Sequence, residues 1–130
     1  MLRLLVDTHV LLGLFDPPRE SFAAELAGGE SSPALFVSVA SLWEIAIKVR
    51  QGKLGLAVPV SDLEVEVERF GCTLLPVAAA HATAEVAPWP ATNDPFDRLL
   101  LAVCVVERLR LVTRDSKLVS HPLAWRPSSA

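Results

Sequence analysis

The chain opens on an apolar run, Leu2-Arg3-Leu4-Leu5-Val6, that stops abruptly at Asp7. Thr8-His9-Val10-Leu11-Leu12-Gly13 follows with apolar residues at helical spacing, so the opening reads as a buried parallel strand feeding a helix. Three further apolar runs predict strands: Ala34-Leu35-Phe36-Val37-Ser38, Cys72-Thr73-Leu74-Leu75-Pro76 and Leu109-Arg110-Leu111-Val112-Thr113. Between them lie helical patterns. After a turn at Asp16-Pro17-Pro18, residues 19–27 predict a short helix stopped by Gly28-Gly29, and residues 41–50 predict a second ending near Gly52. Ser61-Asp62-Leu63-Glu64 has the form of a capping box opening a helix that runs to Phe70-Gly71. Residues 78–86 form an alanine-rich helix, and residues 87–95, rich in proline and without periodicity, a loop. A strongly apolar helix then runs from Phe96 to about Arg108, and Leu123-Ala124-Trp125 adds a short edge strand before a frayed tail at 126–130. Strands alternating with helices imply right-handed crossovers and a parallel sheet covered on both faces, an α/β fold.

Length and composition narrow this picture. At 130 residues the chain suits one domain, 1–130, with a real core. A hydrophobic fraction of 52% fits a tightly built domain and suggests a face covered by another chain. No apolar stretch approaches the roughly 20 residues that span a bilayer, and the opening run is too short for a signal segment. A cytoplasmic location without membrane contact is therefore expected. Cys72 and Cys104 have no Cys or His neighbours at zinc spacing, so reduced thiols are expected. A net charge of -3 argues against a general DNA-coating protein, while a local basic patch remains compatible with nucleic acid.

The candidate chemistry is acidic. Asp7 and Asp115 each follow a strand, and Glu44 and Asp97 each fall in the first turn of a predicted helix. In a parallel sheet those junctions face one edge, where ligands bind. Each acid also has a structural reading. Asp7 could cap the first helix, Glu44 could close a Ser41-x-x-Glu44 capping box, Asp97 suits the helix dipole, and Asp115 could cap a terminal turn. Together they pose a problem that single roles do not solve. Several anions held close repel one another and take up protons unless a divalent cation neutralises them. Oxygen donors without His or Cys suit a hard ion, Mg²⁺ or Mn²⁺. Such an ion acts on a phosphate oxygen and lowers the pKa of bound water, the chemistry of phosphodiester hydrolysis.

Val6-Asp7-Thr8-His9, Ser41-Leu42-Trp43-Glu44-Ile45, Asp94-Pro95-Phe96-Asp97-Arg98-Leu99-Leu100 and Val112-Thr113-Arg114-Asp115 resemble, in order and spacing, the motifs of the PIN-domain family, particularly its VapC-type toxins. The resemblance covers nearly the whole chain. It implies a PIN-like three-layer α/β/α domain with a four- or five-stranded parallel sheet. It also implies a Mg²⁺-dependent endoribonuclease toxin of a bacterial toxin–antitoxin pair, held inactive by a cognate antitoxin. By motif position Asp7, Glu44, Asp97 and Asp115 take the catalytic roles, with Asp7 and Asp97 as metal ligands and Glu44 and Asp115 joining directly or through water. Thr113 matches a Ser/Thr that supports the last acid. Asp94 is a fifth acid better read as a cap, and Asn93 replaces a His or Arg found there in many relatives.

Basic and aromatic residues complete the reading. Arg98 and Arg114 adjoin the acids, while Lys48, Arg50 and Lys53 cluster beyond the Trp43 helix, and all five are candidates to hold RNA phosphates. His9 is expected as a core or capping residue. Trp43, Trp89 and Trp125 could stack on bases, although packing is favoured for Trp125. The Trp43 helix is apolar almost all round, which predicts burial against a homodimer partner or an antitoxin segment. Other functions fit less well. A HAD-like phosphatase needs a second Asp two residues after the first, where His9 stands. A receiver domain needs an adjacent acidic pair near its start, which Arg3-Leu4-Leu5-Val6-Asp7 lacks. The alternative is a catalytically inactive PIN-like module that binds RNA or protein, against which the presence of all four acids argues.

Overall fold

The computed structural model describes residues 2–15 and 33–126. The helix expected at 19–27, the turn before it and the tail beyond residue 126 lie outside the described residues. β1 (Arg3–Val6), β2 (Ala34–Ser38), β3 (Cys72–Leu75) and β4 (Arg110–Val112) form one parallel sheet in the order β3-β2-β1-β4. β1 is therefore central, with Leu4 opposite Leu35 and Leu5 opposite Leu111. The expected edge strand at 123–125 contracts to a single parallel bridge between Leu111 and Ala124. It is held by Leu111 N–H donating to the Leu123 carbonyl at 2.9 Å and Trp125 N–H to the Leu111 carbonyl at 2.8 Å. Among the described residues four strands thus make the sheet.

The alternation of side chains along β1 divides the core. Leu4 and Val6 point to the face covered by α1 (Thr8–Phe15), α2 (Val39–Arg50) and α3 (Leu63–Arg69), where they meet Val10, Leu11, Ile45, Leu63 and Val67. Leu5 points to the opposite face and packs with Leu100, Leu101, Val103 and Cys104 of α5 (Pro95–Glu107). α4 (Ala79–Thr83) lies against α5. Sheet plus helices on both faces make the three layers expected. Cys72 and Cys104 belong to opposite faces, so they cannot pair. Both are free, and burial pushes their thiols up to about 11 and about 12. Trp125 packs against the first cluster, as its apolar neighbours suggested.

The local starts of the helices differ from expectation in two places. α2 begins at Val39, with Ser38 as cap, its Oγ accepting the Ala40 N–H at 3.1 Å. Ser41 does not cap; it lies one turn in, accepting a hydrogen bond from the Thr8 hydroxyl at 3.0 Å, and Glu44 consequently sits in the second turn. α3 is entered through a 3-10 turn, Val60–Asp62, without any side-chain cap, so the Ser61–Glu64 pattern is not used as a capping box. The alanine-rich helix stops at Thr83, short of the expected 86. Among the described residues no helix is long and apolar enough to cross a membrane.

Candidate active site

The carboxyl ends of β1 and β4 and the starts of α2 and α5 bring the acids to one edge. Asp7 ends β1 and is buried; its Oδ1 accepts the Val10 N–H at 2.8 Å, so it does cap α1. The Thr113 hydroxyl donates to the same carboxylate, and Thr113 Oγ1 in turn accepts the Asp115 N–H at 3.1 Å. Thr113 thereby links the first acid to the last. Asp115 is half-buried and also caps a turn, its Oδ1 accepting the Lys117 N–H at 2.8 Å. Glu44 is buried, and its Oε2 receives Lys48 Nζ at 2.7 Å.

Asp97 stands in the first turn of α5. Pro95 occupies the opening position of that helix and Asp94 caps it, its Oδ1 accepting the N–H groups of Phe96 at 2.8 Å and Asp97 at 3.3 Å. Proline there gives up a donor the helix does not need, and the cap satisfies two that it does. The sequence reading of Asp94 as a cap matches this geometry. Thr92, not singled out in the sequence, is almost fully buried. Its hydroxyl donates to Asp97 Oδ2 at 3.2 Å and accepts the Asp94 N–H at 3.1 Å.

Electrostatics show that the acids sense one another. Burial is the main cause that raises Asp97 to about 6, reinforced by the charges of Asp94, Asp115 and Glu44 and opposed only by the Thr92 hydrogen bond. Asp7 is raised too, first by burial and slightly by Asp115, against hydrogen bonds from Thr113 and Val10 and the field of His9. His9 itself is exposed, so of the core and capping roles expected for it the core one does not hold. Yet among the described residues no three His, Cys, Asp or Glu side chains stand as a ready metal-holding group. Each acid has a protein partner: Lys48 for Glu44, the Lys117 N–H for Asp115, Val10 N–H and Thr113 for Asp7, and Thr92 for Asp97. The donor set is all oxygen, Asp7 and Asp97 are both raised with neighbouring carboxylates contributing, and a hard divalent cation is the chemistry that fits such donors.

The basic candidates divide. Lys48 is committed to Glu44. Arg50 and Lys53 are exposed at the far end of α2, and Arg114 is exposed beside Asp115. Arg98 is part-buried, with Nε donating to the Thr92 carbonyl at 3.1 Å and its guanidinium 4.1 Å from the Trp89 ring centroid. Trp43 is 62% exposed and meets Phe96 edge-on, ring centres 5.5 Å apart.

Known proteins give this arrangement a context. The model of the PIN domain matches residues 4–122. Ribonuclease VapC22 of Mycobacterium tuberculosis is 36% identical over 126 residues, covering 93% of each chain. A toxin-antitoxin complex from Klebsiella pneumoniae contains a chain that superposes with a TM-score of 0.60 at 19% identity, over 95% of this chain and 97% of that one. The last likeness concerns the fold alone. On the family match and the relative together, the chain belongs to the PIN domain family.

Proposed function

We propose that the protein is a metal-dependent endoribonuclease of the VapC type, a single domain over residues 1–130 that hydrolyses RNA phosphodiester bonds in the cytoplasm and is neutralised by a cognate antitoxin. The observation that carries the reading is the placement of Asp7, Glu44, Asp97 and Asp115 at one sheet edge, where the charges of Asp94, Asp115 and Glu44 help to raise Asp97 and that of Asp115 helps to raise Asp7. Crowding of buried and half-buried carboxylates weakens a fold unless it serves to hold a cation. The relative's activity as a ribonuclease points the same way.

In this reading Asp7 and Asp97 hold Mg²⁺ or Mn²⁺, and Glu44 and Asp115 join directly or through water. The ion, when bound, supplies Lewis-acid activation of a phosphate oxygen and of an attacking water. The chain's own part is positional. Thr113 orients Asp7 and anchors the Asp115 backbone; Thr92 orients Asp97; Asp94 fixes the start of α5 and so the height of Asp97 above the sheet. Lys48 holds the buried Glu44 carboxylate in place through their 2.7 Å contact. Arg98, Arg114, Arg50 and Lys53 supply positive charge around an acidic centre that would otherwise repel RNA.

The test is cleavage of single-stranded and structured RNA by purified protein with Mg²⁺ or Mn²⁺. EDTA should stop it, and Asp7→Asn and Asp97→Asn should each lower the rate by orders of magnitude. Retained cleavage in both variants removes the acids from the mechanism. Trp43, with Phe96 beside it, leaves an apolar face on α2 and α5 that a homodimer partner would cover. Trp43→Ala should weaken self-association in sedimentation equilibrium by about 2 kcal/mol or more, the effect of removing an aromatic anchor. An unchanged dimer, or a wild-type monomer, rules that contact out.

A further inference from the structure

The loop between α4 and α5 carries an indole that the fold holds but does not bury. Trp89 is 78% exposed. A single exposed apolar residue needs no explanation by itself, but this one is held from two sides. The Arg98 guanidinium covers one face of the ring at 4.1 Å, and Arg98 is fixed by its Nε bond to the Thr92 carbonyl. From the far side, His121 pins the loop: its Nδ1 accepts the Leu123 N–H at 3.1 Å, so the proton lies on Nε2, which donates to the Pro88 carbonyl at 3.0 Å. An indole ordered in this way loses little further freedom when something stacks on it.

Beside Trp89 opens a groove of about 720 Å³, within the roughly 300–1,000 Å³ of sites that take small molecules or their equivalent. On α5 its wall is Pro95, Arg98, Leu99 and Ala102, the i, i+3, i+4, i+7 stripe of one helix face. Asp97 projects from the neighbouring position, roughly 100° around the helix. A strand lying across the first turn of α5 therefore meets the groove and the acids together. The same residue sets their spacing, since the Thr92 carbonyl holds Arg98 and the Thr92 hydroxyl holds Asp97.

We propose that Trp89 and Arg98 form a stacking subsite for one nucleobase of the RNA strand, on the open face of the indole, next to the phosphate cut at the acids. The proposal rests on the ribonuclease reading above. A π-face stacks on any base, so the subsite fixes register without selecting sequence. The Arg98 cation that caps the indole is opposite in sign to the strand's phosphates and stands between Asp97 on α5 and Glu85 in the groove's lining, so it is the point where a phosphate can be met. That charge complementarity, and continuity with the acids through Thr92, favour RNA over a protein segment as occupant.

The experiment measures binding of short single-stranded oligoribonucleotides in the Asp7→Asn background, so that cleavage does not interfere. Trp89→Ala should weaken binding roughly 5- to 150-fold, the range for loss of one stacked base, and Trp89→Phe should recover most of it. In a series of oligonucleotides each carrying one abasic position, one position should lose its sensitivity to Trp89→Ala. Equal affinities in the Trp89→Ala and parent proteins overturn the subsite. So does a Trp89→Ala protein that binds RNA normally but loses a protein partner, which would place the indole in a protein interface. Failure of the ribonuclease reading looks different: wild-type protein would then neither bind nor cut RNA with divalent metal, whatever stands at position 89. Thermal melts of the Ala and Phe variants, both altered only at an exposed ring, verify that the fold is intact.

Discussion

Asp7 and Asp97 carry the same charge at the same sheet edge, and burial raises both above the ordinary carboxylate range, yet they are held in opposite ways. Around Asp7 the fold gathers favourable partners: the Val10 N–H, the Thr113 hydroxyl and the field of His9, with only Asp115 opposing. Around Asp97 it gathers three like charges and a single hydroxyl, that of Thr92. Asp7 thus has a structural task as a helix cap and would be accommodated in a protein with no catalytic role. Asp97 would not. Its neighbourhood is the one that the proposed cation would relieve most, so of the two it gives the sharper test of that proposal. Burial alone is therefore a poor guide: the sign and number of the neighbouring charges distinguish the two acids.

The largest difference that the comparison predicts lies in the two threonines. Each accepts the backbone N–H of one acid and donates its hydroxyl to another: Thr113 between Asp115 and Asp7, Thr92 between Asp94 and Asp97. Replacing either by valine keeps the volume close and removes the hydroxyl. Groups that orient metal ligands typically contribute about 10–100-fold in affinity or activity. Thr92→Val should fall at the severe end, because among the described residues no second donor to Asp97 is seen, and Thr113→Val at the mild end, because Asp7 keeps the Val10 N–H. Calorimetric titration with Mn²⁺, alongside cleavage rates, measures both, and Thr92→Ser should restore most of the loss. A more damaging Thr113→Val would reverse the comparison.

The Thr92 case also shows where sequence reading succeeds and fails. Strand positions were legible because apolar runs bounded by turn residues leave few alternatives: 34–38 was expected and Ala34–Ser38 is observed. The four acids were legible because strand ends and helix starts of a parallel sheet share an edge. Caps were not. The Ser-x-x-Glu pattern occurs at Ser41 and at Ser61, and neither serine caps, because the backbone leaves the extended region at Ser38 in one case and through a 3-10 turn in the other. One signal for Thr92 was available: Thr-x-Asp occurs at Thr92-Asn93-Asp94 and again at Thr113-Arg114-Asp115, and a threonine hydroxyl two residues before an acid can accept its N–H. The clamps made by His81, which accepts the Ala78 N–H and meets Glu107 at 2.8 Å, and by His121 left no such trace. Their distant partners, Glu107 for His81 and the Pro88 carbonyl for His121, are brought to them only by the fold.

The smallest effect predicted is one of stability, and its sign separates the two acids most cleanly. Asp97 titrates at about 6 in the fold and at 3.8 when unperturbed. Between those values the folded chain holds a proton that the unfolded chain has lost, so stability falls as pH rises through this window and the favourable contribution is complete only below it. Asp97→Asn removes the ionisation. In EDTA at about pH 7.5, above the folded titration, the variant should melt a few degrees above wild type, and the gap should close as pH is lowered toward about 4. Asp7→Asn should gain less, since the charge it removes is already met by donors, and asparagine can still cap α1. Added Mn²⁺ should stabilise wild type and narrow the gap from the other side, through binding that the Asp97→Asn variant has largely lost. Scanning calorimetry of the three proteins over pH, with and without the ion, makes the comparison. An Asp97→Asn protein that melts below wild type above the folded titration and without metal would mean that the folded chain already compensates Asp97, and the asymmetry between the two acids would be gone.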